Sequence, residues 1–128
     1  MNKRIILTAA TFGLIAVVLG AFGAHGLNGK ISEQQLENWH TAVNYQFYHT
    51  LALLFLATFS RAKNTLIIVA YLAFTLGILL FSGSLYLLST RELTGITNIH
   101  ILGPTTPLGG LSLILGWASL FLATLKGR

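Results

Sequence analysis

The sequence predicts an all-α polytopic membrane protein: an antiparallel bundle of four transmembrane helices, with a short interfacial helix before the second span. Three observations predict it. The chain of 128 residues is 54% hydrophobic and only 9% charged, where a soluble domain has about a quarter of its residues charged. Four apolar stretches, about 5–25, 39–60, 65–89 and 107–125, are separated by short polar or turn-rich segments. Each is close to the roughly 20 residues that cross about 30 Å of hydrocarbon. The eight Lys and Arg sit in small clusters beside these stretches, as topology-setting charges do, and form no broad basic face for nucleic acid. The length allows one compact domain, residues 1–128.

Lys3 and Arg4 precede the first apolar run, Ile5 to Phe22. Ala9, Gly13, Ala16, Gly20 and Ala24 recur on and just past it, mostly four apart, the spacing that lets helix backbones approach closely in lipid. Packing within the chain is the preferred reading over a homodimer seam. A basic start, an apolar middle and small residues also describe a secretory signal. The long apolar run and the membranous remainder argue that the helix stays. It should end near His25, with Gly26 as the left-handed residue that follows.

Ser32-Glu33-Gln34-Gln35 fits a capping box, so a helix begins near Glu33. Its first turns are expected along the interface, with Leu36 and Trp39 toward lipid, continuing straight into the second span because no Gly or Pro intervenes. Arg61-Ala62-Lys63-Asn64 is a tight hydrophilic turn, which makes the second and third spans antiparallel neighbours. The third span carries Gly77, Ser82, Gly83 and Ser84, and Gly95 is its latest stop. Ile96 to Gly103 reads as an apolar loop at the interface. Thr106 then serves as N-cap and Pro107 as first residue of the fourth span.

Counting charges orients the bundle. With a cytoplasmic N-terminus, four spans place Lys3, Arg4, Arg61, Lys63, Lys126 and Arg128 inside and only Lys30 and Arg91 outside. That bias puts both termini in the cytoplasm. All three acids, Glu33, Glu37 and Glu92, then lie outside.

The second span is the costly one, because Asn44, Gln46 and His49 need hydrogen-bond partners that lipid cannot supply. At 1.5 Å per residue from an entry near Thr41, His49 lies roughly 12 Å deep. Ser82 and Ser84 lie roughly 7 to 11 Å below the same surface. The candidate site is therefore an outer-half polar cluster of Gln46, His49, Ser82 and Ser84, with His25 near its mouth. An intramembrane ionisable group is a functional hypothesis by default. The preferred reading is nevertheless that His49 and Gln46 pin helix registration, since a neutral imidazole costs far less to bury than a carboxylate. Trp39, Tyr86 and Trp117 read as interface or packing aromatics, although Trp117 sits too deep for the belt.

What the spans lack narrows the chemistry. None contains Asp, Glu, Lys or Arg, and the chain has no cysteine. A proton-coupled multidrug transporter needs an embedded carboxylate, and a metal carrier needs carboxylate or thiolate ligands. A Ser-His-acid triad lacks its acid, a quinone-linked dithiol enzyme lacks its thiols, and a bis-histidine haem needs a second deep histidine. No cofactor and no metal is expected, and no enzyme.

The motifs GAFGAHGL at 20–27, W-x-TAV-x-YQ-x-YH-x-LALL at 39–54, FSGSLYLL at 81–88, and TPLGG with the later GW at 106–117 resemble the domain of unknown function 423 family, whose eukaryotic relatives are called transmembrane protein 256. The similarity touches all four spans. It implies a small four-helix membrane protein, bacterial here, with no agreed catalytic residues. It also directs attention to His25, Gln46, His49, Ser82, Gly83, Ser84, Pro107, Gly109 and Gly110. Gly103-Pro104-Thr105 departs from the more apolar lead expected before TPLGG, which puts the conformation there in question. The function expected is that of a non-enzymatic structural or accessory component of the bacterial cytoplasmic (inner) membrane. The alternative is a binder or conduit for a small neutral molecule or lipid. The bilayer is the expected partner, with a homo-oligomer or larger complex left open.

Overall fold

The computed structural model describes residues 2–59, 64–97 and 99–126. Four long helices, α1 (Lys3–His25), α2 (Glu33–Leu56), α3 (Thr65–Ser89) and α5 (Ile99–Lys126), are joined by short connections, one of which contains the single-turn helix α4 (Arg91–Thr94). Polar caps set the starts. Asn2 Oδ1 accepts from the Arg4 and Ile5 amides, Ser32 Oγ from Gln35, and Asn64 Oδ1 from Leu66. These bonds satisfy first-turn donors that have no intrahelical partner. The turn expected at Arg61-Ala62-Lys63 lies outside the described residues.

Three helices, α1, α3 and α5, are long and apolar enough to cross a membrane. Their outer faces carry Leu14, Val17, Leu72, Leu79, Leu111, Ile114 and Phe121, all well exposed. The buried faces carry mainly small residues: Ala9, Ala16, Ala70, Ala73, Gly77, Gly109 and Gly116. This distribution suits helices whose surroundings are as apolar as leucine, so that close packing and hydrogen bonds must join them.

The contacts form a row with α2 and α3 at its centre. α1 packs on α2, α2 on α3, and α3 on α5. Each neighbouring pair is antiparallel. Gly13 faces Thr50 while Gly20 faces Val43 and Gly23 faces Trp39; Gly77 faces Leu113 while Gly109 faces Phe81 and Gly116 faces Phe74. The apolar core has two parts. A larger one, around Leu53, Leu56, Phe74 and Ile78, fills the half nearest Lys3. A smaller one, around Leu27, Trp39 and Val43, fills the other. On α2, Gln46 and His49 lie between Val43 and Ala52, so a polar layer separates the two.

Several local expectations are corrected. α1 ends at His25, but Gly26 is right-handed (φ −77°). A Cβ there would lie 2.5 Å from the Phe22 ring, so close approach is what requires this glycine. The left-handed residue of that turn is Gly29 (φ +78°). In the small-residue stripe Ala24 is exposed and Gly23 is buried, because Trp39 packs on Gly23. Trp39 is accordingly only 4% exposed and does not face lipid. As expected from the lack of Gly or Pro, the first turns of α2 run unbroken into the rest of the helix. Finally, α5 begins at Ile99, with Pro104 and Pro107 inside it, so most of the apolar stretch read as a loop is helical. Each proline removes one intrahelical donor, leaving the His100 and Gly103 carbonyls without theirs. Thr105 Oγ1 donates to the Ile101 carbonyl at 2.6 Å, and Thr106 Oγ1 lies 2.6 Å from Ser84 Oγ on α3. Gly95 (φ +74°) ends α4 in the left-handed region, as expected of the last stop after α3.

Candidate functional site

The predicted polar cluster separates into two knots on opposite sides of the central α2–α3 pair. Gln46, three residues before His49, points between α1 and α3. Its Nε2 donates to the Phe12 carbonyl on α1 at 2.8 Å, and its Oε1 accepts from the Tyr86 hydroxyl on α3 at 2.6 Å. One side chain thus ties three helices together. It is 3% exposed.

His49 turns toward α5. Its Nδ1 lies 2.6 Å from the Tyr45 carbonyl one turn back on the same helix, which assigns the ring proton to Nδ1. Nε2 is then the acceptor, and it receives the Trp117 indole N–H at 3.1 Å. The ring also lies against Phe74 and Trp117, with centroids 5.7 and 6.0 Å away. The expectation that α3 hydroxyls answer the imidazole is therefore corrected: an indole from α5 does so, because Ser82 sits level with Ala42, two turns along α2 from His49, and the α3 residue beside the imidazole is Phe74.

The serines bind elsewhere. Ser82 Oγ donates to the Ala42 carbonyl of α2 at 2.7 Å, holding α2 to α3. Ser84 pairs with Thr106 across the α3–α5 seam and also bonds the Phe81 carbonyl. His25 is exposed at the end of α1, apart from both knots. Of the five candidates, Gln46 and Ser82 both bridge from α2 to α3, while His49 and Ser84 both join the α5 side.

The sequence reading missed the partners. Tyr86 and Trp117 complete the two knots, and the Trp39 Nε1 donates to the Leu19 carbonyl on α1 at 2.9 Å. A signal for Trp117 was present: an indole N–H too deep for the headgroup belt needs an acceptor. Among the described residues, no buried side-chain nitrogen or oxygen lacks a hydrogen-bond partner, and no group of three or more metal-ligating side chains occurs.

Both knots border recesses on the outer surface. Beside His49, a groove of about 350 Å³ is lined by Tyr45, Phe81, Gly110, Leu113, Ile114 and Trp117. Beside Gln46, one of about 180 Å³ is lined by Phe12, Ile15, Leu19, Leu79, Gly83 and Tyr86. The Gln46, His49, Tyr86 and Trp117 polar atoms are already engaged in the bonds above, and apart from the Tyr45 hydroxyl both grooves present mainly apolar walls.

Comparison with known proteins finds a family and relatives named as membrane proteins. Residues 19–110 match the family described as "Protein of unknown function (DUF423)". The chain is 46% identical over 127 residues to the UPF0382 membrane protein YwdK of Bacillus subtilis, covering 97% of this chain and 98% of that one. It is 42% identical over 124 residues to the UPF0382 membrane protein SH2409 of Staphylococcus haemolyticus, and 44% over 124 residues to SAB0533 of Staphylococcus aureus, with 97% of each chain covered in both cases. No solved structure matches. With the family matched from the end of α1 into α5 and relatives aligned over nearly their whole length, the chain belongs to the DUF423 family and is an integral membrane protein.

Proposed function

We propose that this protein is a non-enzymatic structural or accessory component of the bacterial cytoplasmic membrane, built from four spans with both termini in the cytoplasm. The observation that carries the functional reading is the full use of the Gln46 and His49 side chains. Their polar atoms are committed to bonds that join helices or fold back on α2. The lack of any acid within the spans supports a non-catalytic role.

The fourth crossing rests on α2. Its polar residues keep it less apolar than the other three, yet it lies antiparallel between α1 and α3, and its buried polar groups are satisfied from within. The orientation rests on charge: Lys3, Arg4, Arg61, Lys63, Lys126 and Arg128 belong to one end, and all three acids to the other. Because the chain has no cysteine, single cysteines at Asn28 and Lys126 can test it. Asn28→Cys should label from outside intact cells, and Lys126→Cys only after permeabilisation.

A second reading, binding of a small neutral molecule or lipid beside His49, is favoured by the groove flanked by Tyr45 and Trp117. His49→Leu separates the two. For a structural role the variant should insert yet unfold earlier than the parent in detergent, with no lipid, quinone or haem shifting the parent's Tm. A variant of parental stability that has lost a ligand-induced Tm shift would overturn the structural reading.

A further inference from the structure

We propose that the recess between the first turns of α1 and α3 is a binding site for an anionic phospholipid from the leaflet at that end of the molecule. The recess holds about 380 Å³ and is lined by Asn2, Arg4, Ile5, Ile68, Tyr71 and Leu72. Its two ends differ in chemistry. Asn2 and Arg4 lie at the helix start, while Ile5, Ile68 and Leu72 form the walls further in. A polar bridge, Thr8 Oγ1 to the Tyr71 hydroxyl at 2.9 Å, closes it toward the middle of the bundle.

The recess follows from how the helices are arranged. α1 and α3 both rest on α2 and make no extensive contact with each other among the described residues, so a seam stays open between them. Apolar walls without facing atoms forfeit dispersion contacts. In a bilayer the atoms available to supply those contacts are acyl chains.

Charge selects the headgroup. The exposed Arg4 guanidinium offers paired donors that suit a phosphate, and Lys3 is its neighbour in sequence. Among the described residues Lys3, Arg4 and Lys126 lie at this end of the bundle, and the three acids, Glu33, Glu37 and Glu92, belong to the opposite end. No Asp or Glu among the described residues stands there to compete with a phosphodiester. The first-turn amides of α1 take no part, because Asn2 Oδ1 already accepts from the Arg4 and Ile5 N–H groups at 3.1 and 3.4 Å. The site is thus a side-chain cation above an apolar slot, distinct from the Gln46 and His49 knots.

The test is native mass spectrometry of the purified full chain in mixed micelles, titrated with phosphatidylglycerol and with phosphatidylcholine. One phosphatidylglycerol should be retained in preference to phosphatidylcholine. Arg4→Gln should weaken that retention roughly fivefold, the worth of one basic residue at an anionic surface, while Lys126→Gln, an equal loss of charge elsewhere, should not. Leu72→Trp should block the slot with the headgroup cation intact, its Tm confirming a folded chain. Equal effects of Arg4→Gln and Lys126→Gln would reduce the effect to general attraction and overturn the site. So would competition by water-soluble glycerol phosphate, which would mean that the acyl slot is not used. A dimer whose population falls in Leu72→Trp would assign the recess to a second copy instead.

Discussion

Along its whole length the seam between α3 and α5 closes on missing side chains, with Ser84–Thr106 and Ser112 to the Ala73 carbonyl bonded across it, whereas in the α1–α2 seam only Gly23, under Trp39, is that close and the middle is tied by side chains that reach across. On α5, a Cβ added at Gly109 would lie 2.3 Å from the Phe81 backbone nitrogen, and one at Gly116 2.6 Å from the Phe74 ring. On α3, one at Gly77 would lie 2.4 Å from Leu113. The α1 glycines at the middle of the other seam are looser: a Cβ at Gly13 or Gly20 would be in ordinary or nearly ordinary contact, 3.5 and 3.4 Å from Thr50 and Val43. There the tie comes from Gln46 and Trp39 donating to α1 carbonyls. Two antiparallel contacts in one molecule therefore use different means to join helices where lipid supplies no hydrophobic drive.

The largest expected effect breaks the first seam. Gly109→Ala sets a methyl group against main chain that cannot rotate away, so α3 and α5 must separate along their length. The cost is placed at about 3 kcal/mol, the upper part of the range for overpacking. Unfolding of the purified protein by titrated denaturing detergent measures it. Parental stability in this variant would mean that the seam is not close-packed.

The second effect is smaller and belongs to the other seam. Gln46→Leu removes a bond to the Phe12 carbonyl and leaves the Tyr86 hydroxyl without its acceptor, costing about 1–2 kcal/mol. Tyr86→Phe removes only one of the two bonds and should cost about half as much. A double-mutant cycle on the pair should return a coupling of about 0.5–1 kcal/mol. A zero coupling would detach Tyr86 from the knot.

These magnitudes show why the helices were easier to read than their contacts. Apolar runs, Ser32 as a cap and Gly95 as a stop can be read along one segment, since each depends on neighbours in sequence. Depth could be computed only from each helix's own entry point, which brought Ser82 level with His49, whereas in the structure it is level with Ala42, two turns away. Rotation could not. Gln46 and His49 are three residues apart, enough for one to serve the α1 side and the other the α5 side. Trp39 was misread because its position near the membrane surface suggested a belt aromatic, while the glycine that admits it, Gly23, lies on another helix. Pro107 looked like a helix start because proline interrupts helices in water. In the structure the helix runs through both prolines from Ile99.

The smallest effect sharpens the comparison most, because it applies the same substitution to the looser seam. Gly20→Ala adds the same methyl group as Gly109→Ala, but its nearest neighbour is Val43 Cγ1, the end of a side chain that can yield by a few tenths of an ångström. Alanine also restores helix propensity, worth up to about 1 kcal/mol over glycine. The two contributions oppose each other, so the variant should lie within about 0.5 kcal/mol of the parent by the same unfolding titration. If Gly20→Ala were instead as damaging as Gly109→Ala, the α1–α2 seam would depend on glycine after all. Gln46 and Trp39 would then be ornaments on a close-packed contact, and their truncation should cost correspondingly little.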